Sequence, residues 1–197
     1  WLMGGYWAGE PGSTLAADAQ VGCVAFSTLK VWPRGPEKVL GMQSDWAERN
    51  PQTLSALLRA LDQAGRWADD PQNHDELAGI LSAPEYVAVP KDKLRETLSR
   101  DMGFHWSNAP ARRGDAMWLY AQMVRWGQTK LCSENQARAG AVYRPDLLEA
   151  ALKADGHAAP GGGVAGETYR IAMPFGGDPF DPDAIEAYIL RQVVKSE

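Results

Sequence analysis

Asp115-Ala-Met-Trp-Leu-Tyr-Ala-Gln-Met-Val-Arg-Trp-Gly-Gln128 is the stretch that decides how this chain folds. Its large or apolar positions, Met117, Trp118, Tyr120, Ala121, Val124 and Trp126, predict an amphipathic helix over 115–127. Two tryptophans on one short helix bury much area, so this element is expected at the centre of a core. Trp118 in particular is expected to be buried.

Outward from it, further helices follow from their start signals. Arg144-Pro145-Asp146 opens one fitted to 144–154. Asn50-Pro51 opens another, with Asn as N-cap and Pro at the first helical position. There Leu54, Leu57, Leu58, Leu61 and Trp67 form an apolar stripe at helical spacing, up to about residue 69 and Pro71. The stripe is expected to be buried. Shorter helices fit 13–19, 72–82 and 91–100, and Asp181-Pro182 caps a last one to about residue 192. Residues 1–8, 21–27 and 39–42 read as strands, Tyr86–Val89 as an extended link, and 101–114 as an irregular loop.

A few strands followed by mostly helices give a helix-rich α/β chain, too strand-poor for a complete doubly wound sheet. The chain opens at Trp1 inside a strand-like pattern, so a preceding segment is expected. Residues 155–166 hold Gly156, Pro160, Gly161, Gly162, Gly163 and Gly166 and read as a flexible linker. The layout is a body over 1–154, the linker over 155–166, and a tail over 167–197. The tail helix is expected to turn Ile185, Tyr188 and Ile189 to the body or a partner.

Composition narrows the function. Hydrophobic residues make up 45% and charged residues 23% of the 197, ordinary for a globular protein. A net charge of −5 argues against direct nucleic-acid binding, which needs a basic face. No run approaches 18 apolar residues, so no membrane span is expected. His74, His105 and His157 fall in no zinc spacing. Gly161–Gly166 spells a loose dinucleotide fingerprint without its strand or helix. Asp178, Asp181 and Asp183 lack the Gly and Glu of a calcium loop. Neither metal nor cofactor is expected. Cys23, within the apolar run Val21–Phe26, reads as a buried inert thiol.

Two places could bind a ligand. Gly9-Glu10-Pro11-Gly12 follows an expected strand and precedes a helix, where α/β proteins collect ligands on outward-pointing N–H groups. Glu10 there is either a ligand-side carboxylate or a structural one bonded to a neighbouring loop. His105-Trp106 with Arg112-Arg113 is the other. A guanidinium fork matches two oxygens of a planar oxyanion, and an Arg at a helix N-terminus opposes the helix dipole, which points to a specific acidic partner.

These pieces have an order. Gly9-Glu10-Pro11-Gly12, Pro36–Gly41, Asp45-Trp46, Asn50-Pro51, Trp67-Ala-Asp-Asp-Pro71, Pro84-Glu-Tyr-Val87, 115–128 and Tyr143-Arg-Pro-Asp-Leu147 are collinear over about residues 4–152. Together they resemble the solute-binding proteins for nitrate, nitrite and bicarbonate, with their nitrate-sensor relatives. The resemblance implies the helix-rich C-terminal part of a two-lobed periplasmic-binding-protein-like (type II) α/β fold, with both lobes represented. It implies a small oxyanion ligand, no chemistry on it, and hinge closure as the signal. It places Gly9, Glu10, Pro11, Gly12, His105, Trp106 and Arg113 at the ligand, although the family's motif has an aromatic where Gly12 stands.

One branch of that family is cytoplasmic and holds an RNA-binding antiterminator. The other is periplasmic or lipid-anchored and docks on an ABC permease. The tail Phe180–Tyr188 and the loop His105–Asn108 look more like the sensor branch. Two other readings stand beside these. One is an enzyme of the thiamine-pyrimidine biosynthesis type on the same fold, against which the isolated histidines argue. The other is an interaction module that has lost its ligand.

Overall fold

The computed structural model describes residues 4–27, 30, 38–99, 112–157 and 180–192. The helices are α1 (Gly12–Asp18), α2 (Ser44–Arg49), α3 (Pro51–Asp69), α4 (His74–Leu81), α5 (Lys91–Ser99), α6 (Arg113–Arg125), α7 (Ser133–Val142), α8 (Pro145–Lys153) and α9 (Ile185–Leu190), with a 3-10 turn at Pro71–Asn73. The chain divides into two units. The first holds Trp1–Gly35 and Gln63–Trp106, the second Pro36–Asp62 and Ser107–Glu197.

The expected strands do not form: among the described residues, 5–9, 22–27 and 38–43 are irregular. An extended segment becomes a strand only when a neighbour supplies ladder hydrogen bonds, and among the described residues no such pairing reaches these stretches. Their apolar side chains stay open, with Trp7 71% and Val21 78% exposed. Trp7 and Phe26 do meet edge to face, ring centroids 5.9 Å apart. Cys23 lies in one of these open stretches and is exposed, not buried as its apolar neighbours suggested.

In the first unit α4 and α5 pack together and α1 lies on α5. Ala78 of α4 and Leu94 of α5 are buried in this small core. Two polar links reinforce it. Asp75 accepts from Lys91 and from Arg95, each at 2.7 Å, and Lys93 pairs with Asp18 at 2.7 Å. The Lys91 hydrogen bond is the main reason the Asp75 carboxyl sits below its ordinary value.

In the second unit α6 is central, as its amphipathic spacing predicted, but not through its two tryptophans. Ala116, Met117, Tyr120 and Ala121 are buried, whereas Trp118 is only half-buried and Trp126 is 52% exposed. Met117 and Tyr120, with the alanines beside them, therefore face the core, and the tryptophans ride at its margin. α6 packs against α7 and α9. A Cβ on Gly140 of α7 would sit 3.2 Å from Arg113 Nε and 3.6 Å from Met117 Sδ, so glycine lets the two helices approach closely. Tyr120 Oη joins α6 to the turn before α7, donating to Lys130 O at 2.9 Å and accepting from Cys132 N–H at 3.1 Å.

α3 begins at Pro51 and ends at Asp69, close to the bounds expected from Asn50-Pro51 and Pro71. The Asn50 side-chain amide donates back to Trp46 O at 2.8 Å, closing α2. The stripe is buried only in part. Leu54 is 5% exposed, Leu58 and Leu61 are half-buried, and Leu57 is 38% exposed. At roughly 100° per residue the buried positions Leu54, Asp62 and Gly65 define one face, and Leu57 lies about a quarter-turn off it.

Two helix ends explain two glycines. Gly127 at φ 69° follows α6, with bonds from Gln128 N to Met123 O and from Gly127 N to Val124 O. Gly156 at φ 73° ends α8 in the same way, with His157 N on Leu152 O and Gly156 N on Lys153 O. Both are glycine C-terminal caps, in which a left-handed residue satisfies the last carbonyls. Gly156 is thus a helix stop; the rest of the expected linker, from 158, lies outside the described residues.

Of the tail, residues 180–192 are described. Phe180, Ile185 and Tyr188 are buried at 0%, 2% and 3% exposure. Ile189 is half-buried. Asp181 does not cap α9 directly; its carboxylate accepts from Asp183 N–H at 2.9 Å, shaping the turn before it.

Candidate functional site

The turn Gly9–Gly12 is built by local bonds. Gly12 N donates to Gly9 O at 3.0 Å, and Leu15 N donates to Pro11 O at 3.0 Å, which starts α1 at Gly12. The Glu10–Pro11 peptide is cis. Glu10 reaches forward over this first turn. Its Oε2 accepts from Thr14 N at 3.2 Å and from Thr14 Oγ1 at 3.0 Å. A carboxylate here answers one of the four N–H groups that a helix start leaves without an internal partner.

Thr14 is completely buried. Its hydroxyl is also 3.2 Å from Thr97 Oγ1 on α5, 83 positions along the chain. Glu10, Thr14 and Thr97 thus form one polar thread from the turn into the core of the first unit. Both of these hydrogen bonds fall on Oε2; among the described residues Oε1 carries none. A Cβ on Gly12 would meet Ala8 Cβ at 3.6 Å, an ordinary contact, so the position has room for a side chain.

The structure brings Gly9, Glu10, Pro11 and Gly12 together in this turn. Arg113 lies in the second unit, as the first residue of α6 and not in the loop expected over 101–114. Its acidic partner is in this same chain: Arg113 NH1 lies 3.4 Å from Asp183 Oδ1 of the tail, with both side chains about half exposed. The conflict of a cation with the positive helix end is softened by Asp115, whose carboxylate accepts from Arg112 N–H at 2.9 Å in the first turn. His105 and Trp106 lie outside the described residues. Thr14 and Thr97 had no sequence signal, because nothing in spacing links positions so far apart.

Among the described residues no helix is long and apolar enough to cross a membrane.

Comparison with known proteins gives the turn its context. The model of the NMT1-like family matches residues 2–82. The nitrate/nitrite binding protein NrtA of Synechococcus elongatus is 31% identical, over 92% of this chain and 44% of its own. The nitrate import ATP-binding protein NrtC of the same organism is 32% identical, over 98% of this chain and 30% of its own. The bicarbonate-binding protein CmpA of a Synechococcus species is 29% identical, over 95% of this chain and 47% of its own. Among solved structures, the periplasmic nitrate-binding protein NrtA from Synechocystis superposes with a TM-score of 0.74 at 28% identity, covering 93% of this chain and 52% of that one. The chain spans about half the length, or less, of the relatives it matches. Over that length it has the helix-rich fold of part of a periplasmic-binding protein. By sequence and by fold, the chain is similar to part of proteins named for binding nitrate, nitrite or bicarbonate.

Proposed function

We propose that this chain takes part in binding a small planar oxyanion for ABC-type import, and that the Gly9–Gly12 turn borders the ligand. The observation that carries this is the agreement in sequence and fold with binding proteins whose names specify nitrate, nitrite or bicarbonate. The ligand is held and released, with no bond made or broken. One relative is a nitrate import ATP-binding protein and the solved neighbour is periplasmic, which supports the transporter branch and a periplasmic or lipid-anchored setting with an ABC permease as partner. The sensor branch with its antiterminator, favoured by the wording of the tail, draws no support from them.

The position of Glu10 bears on which anion is preferred. A carboxylate can only accept hydrogen bonds. Nitrate and nitrite offer acceptors alone, whereas bicarbonate carries one O–H donor. Glu10 therefore contributes selectivity for a donor-bearing oxyanion and not attraction for anions in general. Isothermal titration of the whole protein with bicarbonate, nitrate and nitrite tests the reading. Saturable binding of one or more, with bicarbonate tightest, is expected. Heat of dilution alone with all three defeats it.

A further inference from the structure

The geometry points to Thr97 as a positioning residue for the Glu10 carboxylate, acting through the buried hydroxyl of Thr14. This rests on the reading that Glu10 borders the ligand.

The argument is one of hydrogens. Thr14 and Thr97 each carry one hydroxyl hydrogen and two acceptor lone pairs. Three acceptors compete for these two hydrogens: Glu10 Oε2 lies 3.0 Å from Thr14 Oγ1, Thr14 Oγ1 lies 3.2 Å from Thr97 Oγ1, and Lys93 O lies 3.0 Å from Thr97 Oγ1. If Thr97 gives its hydrogen to Lys93 O, Thr14 must choose between the carboxylate and Thr97. Choosing the carboxylate then sets two lone pairs against each other in a buried space. If Thr97 instead donates to Thr14, Thr14 is released to donate to Glu10, and the chain of bonds is complete. Lys93 O loses little, since it lies within α5 and helical carbonyls already accept the backbone N–H four residues on. A carboxylate is the stronger acceptor, so it draws both hydrogens towards itself. Hydrogen bonds in series also polarise one another, most of all where water is excluded. Thr14 is fully buried and Thr97 is 7% exposed.

The consequence is directional. Thr97 orients the Thr14 hydroxyl, and that hydroxyl together with Thr14 N–H holds Oε2. With Oε2 fixed, Oε1 is aimed. Thr97 touches no ligand; it selects which way Glu10 points. The second tie between these elements, Lys93 to Asp18 at 2.7 Å, keeps α1 against α5 and so preserves the spacing on which the thread depends.

The test is a double-mutant cycle on the whole protein, read by bicarbonate affinity, together with amide exchange at Thr14. Thr97→Val keeps the shape and removes the hydroxyl. It should weaken bicarbonate binding by about fivefold, the worth of one neutral hydrogen bond. Thr97→Ser should restore affinity to within about twofold of the parent. In a Glu10→Ala background, Thr97→Val should change affinity by less than about twofold, because the residue it positions is gone. A merely structural Thr97 would cost the same factor in both backgrounds, and that result overturns the inference. So does full affinity in Thr97→Val itself. Should Thr97→Val not fold, Thr97→Ala takes its place. The amide of Thr14 needs no ligand: its exchange should quicken at least about fivefold in the Thr97 variant, as Glu10 loosens, and stay at the parent rate in Thr97→Ser. An unchanged rate in the variant overturns the inference as well. If the parent binds none of the three anions, the proposed function fails, and the Thr14 amide still decides the role of Thr97.

Discussion

Gln122 Nε2 donates to Tyr188 Oη across 3.1 Å, tying the last turn of α6 to α9. Around this bond the tail is anchored by burial. Phe180 and Tyr188 meet edge to face with centroids 5.0 Å apart, and Phe180 is wholly enclosed. Phe180, Ile185 and Tyr188 are therefore part of the core of the second unit.

Truncating that anchor should undock the tail. Tyr188→Ala removes a buried ring and should cost about 3–5 kcal/mol in denaturant unfolding. Tyr188→Phe keeps the ring, loses only the bond to Gln122, and should cost about 1 kcal/mol. Equal losses in the two variants would mean that the hydroxyl, not the packed ring, holds the tail.

Tyr120→Phe should cost more than its one oxygen suggests. The hydroxyl serves Lys130 O and Cys132 N–H together, so its removal strands two backbone groups at the start of α7. A loss of about 1–3 kcal/mol is expected by chemical denaturation. A change under about 0.5 kcal/mol would show that water replaces it freely.

Stability should fall at both ends of the pH scale for assignable reasons. Burial first, and then the charge of Asp115, push the Tyr143 phenol above its ordinary value of 10.0. A folded value above the unfolded one means the native state holds the proton more tightly. That contribution is whole below pH 10 and is lost as pH rises through the folded value. Tyr143→Phe should flatten the alkaline limb of a stability–pH profile.

The acid limb runs the other way. Arg144 holds Asp146 through two bonds, Nε to Oδ1 at 2.9 Å and NH2 to Oδ2 at 2.7 Å, and so lowers its carboxyl below 3.8. The native state then favours the charged form, so the contribution is present above that value and is lost as pH falls through the lowered one. Both side chains are more than half exposed, so Asp146→Asn should cost no more than about 1 kcal/mol at neutral pH.

Much of this architecture was legible in the sequence because its signals are local. Asn50-Pro51 and Pro71 bracket α3, Pro145 opens α8, and the apolar spacing of 115–127 marks α6 to within two residues. α7 was missed. Ser133 with Gln136 spells a helix start, and Glu134 pairs with Arg138 at 2.7 Å one turn on, but Gly140 interrupts the pattern. That glycine serves the close contact with α6, a tertiary reason that no local pattern carries. α2 was missed for the same want of a stripe. The strands were misread because β propensity describes what a chain can do beside a neighbour, and the neighbour is not written in the segment. At the candidate site, Glu10 stood out by its motif, while Thr14 and Thr97 became visible only when folding placed them beside it.

The affinity of Glu10→Ala for bicarbonate, measured by titration calorimetry beside the parent protein, tests the central claim most directly. Glu10 caps α1 as well, so the variant should lose about 1 kcal/mol of stability and still fold. If Glu10 borders the ligand, bicarbonate binding should weaken about tenfold or more, the effect of losing a hydrogen bond to a charged group, while nitrate binding should not weaken. Equal bicarbonate affinity in variant and parent, with only the melting temperature lowered, would contradict the account and leave Glu10 as a helix cap alone.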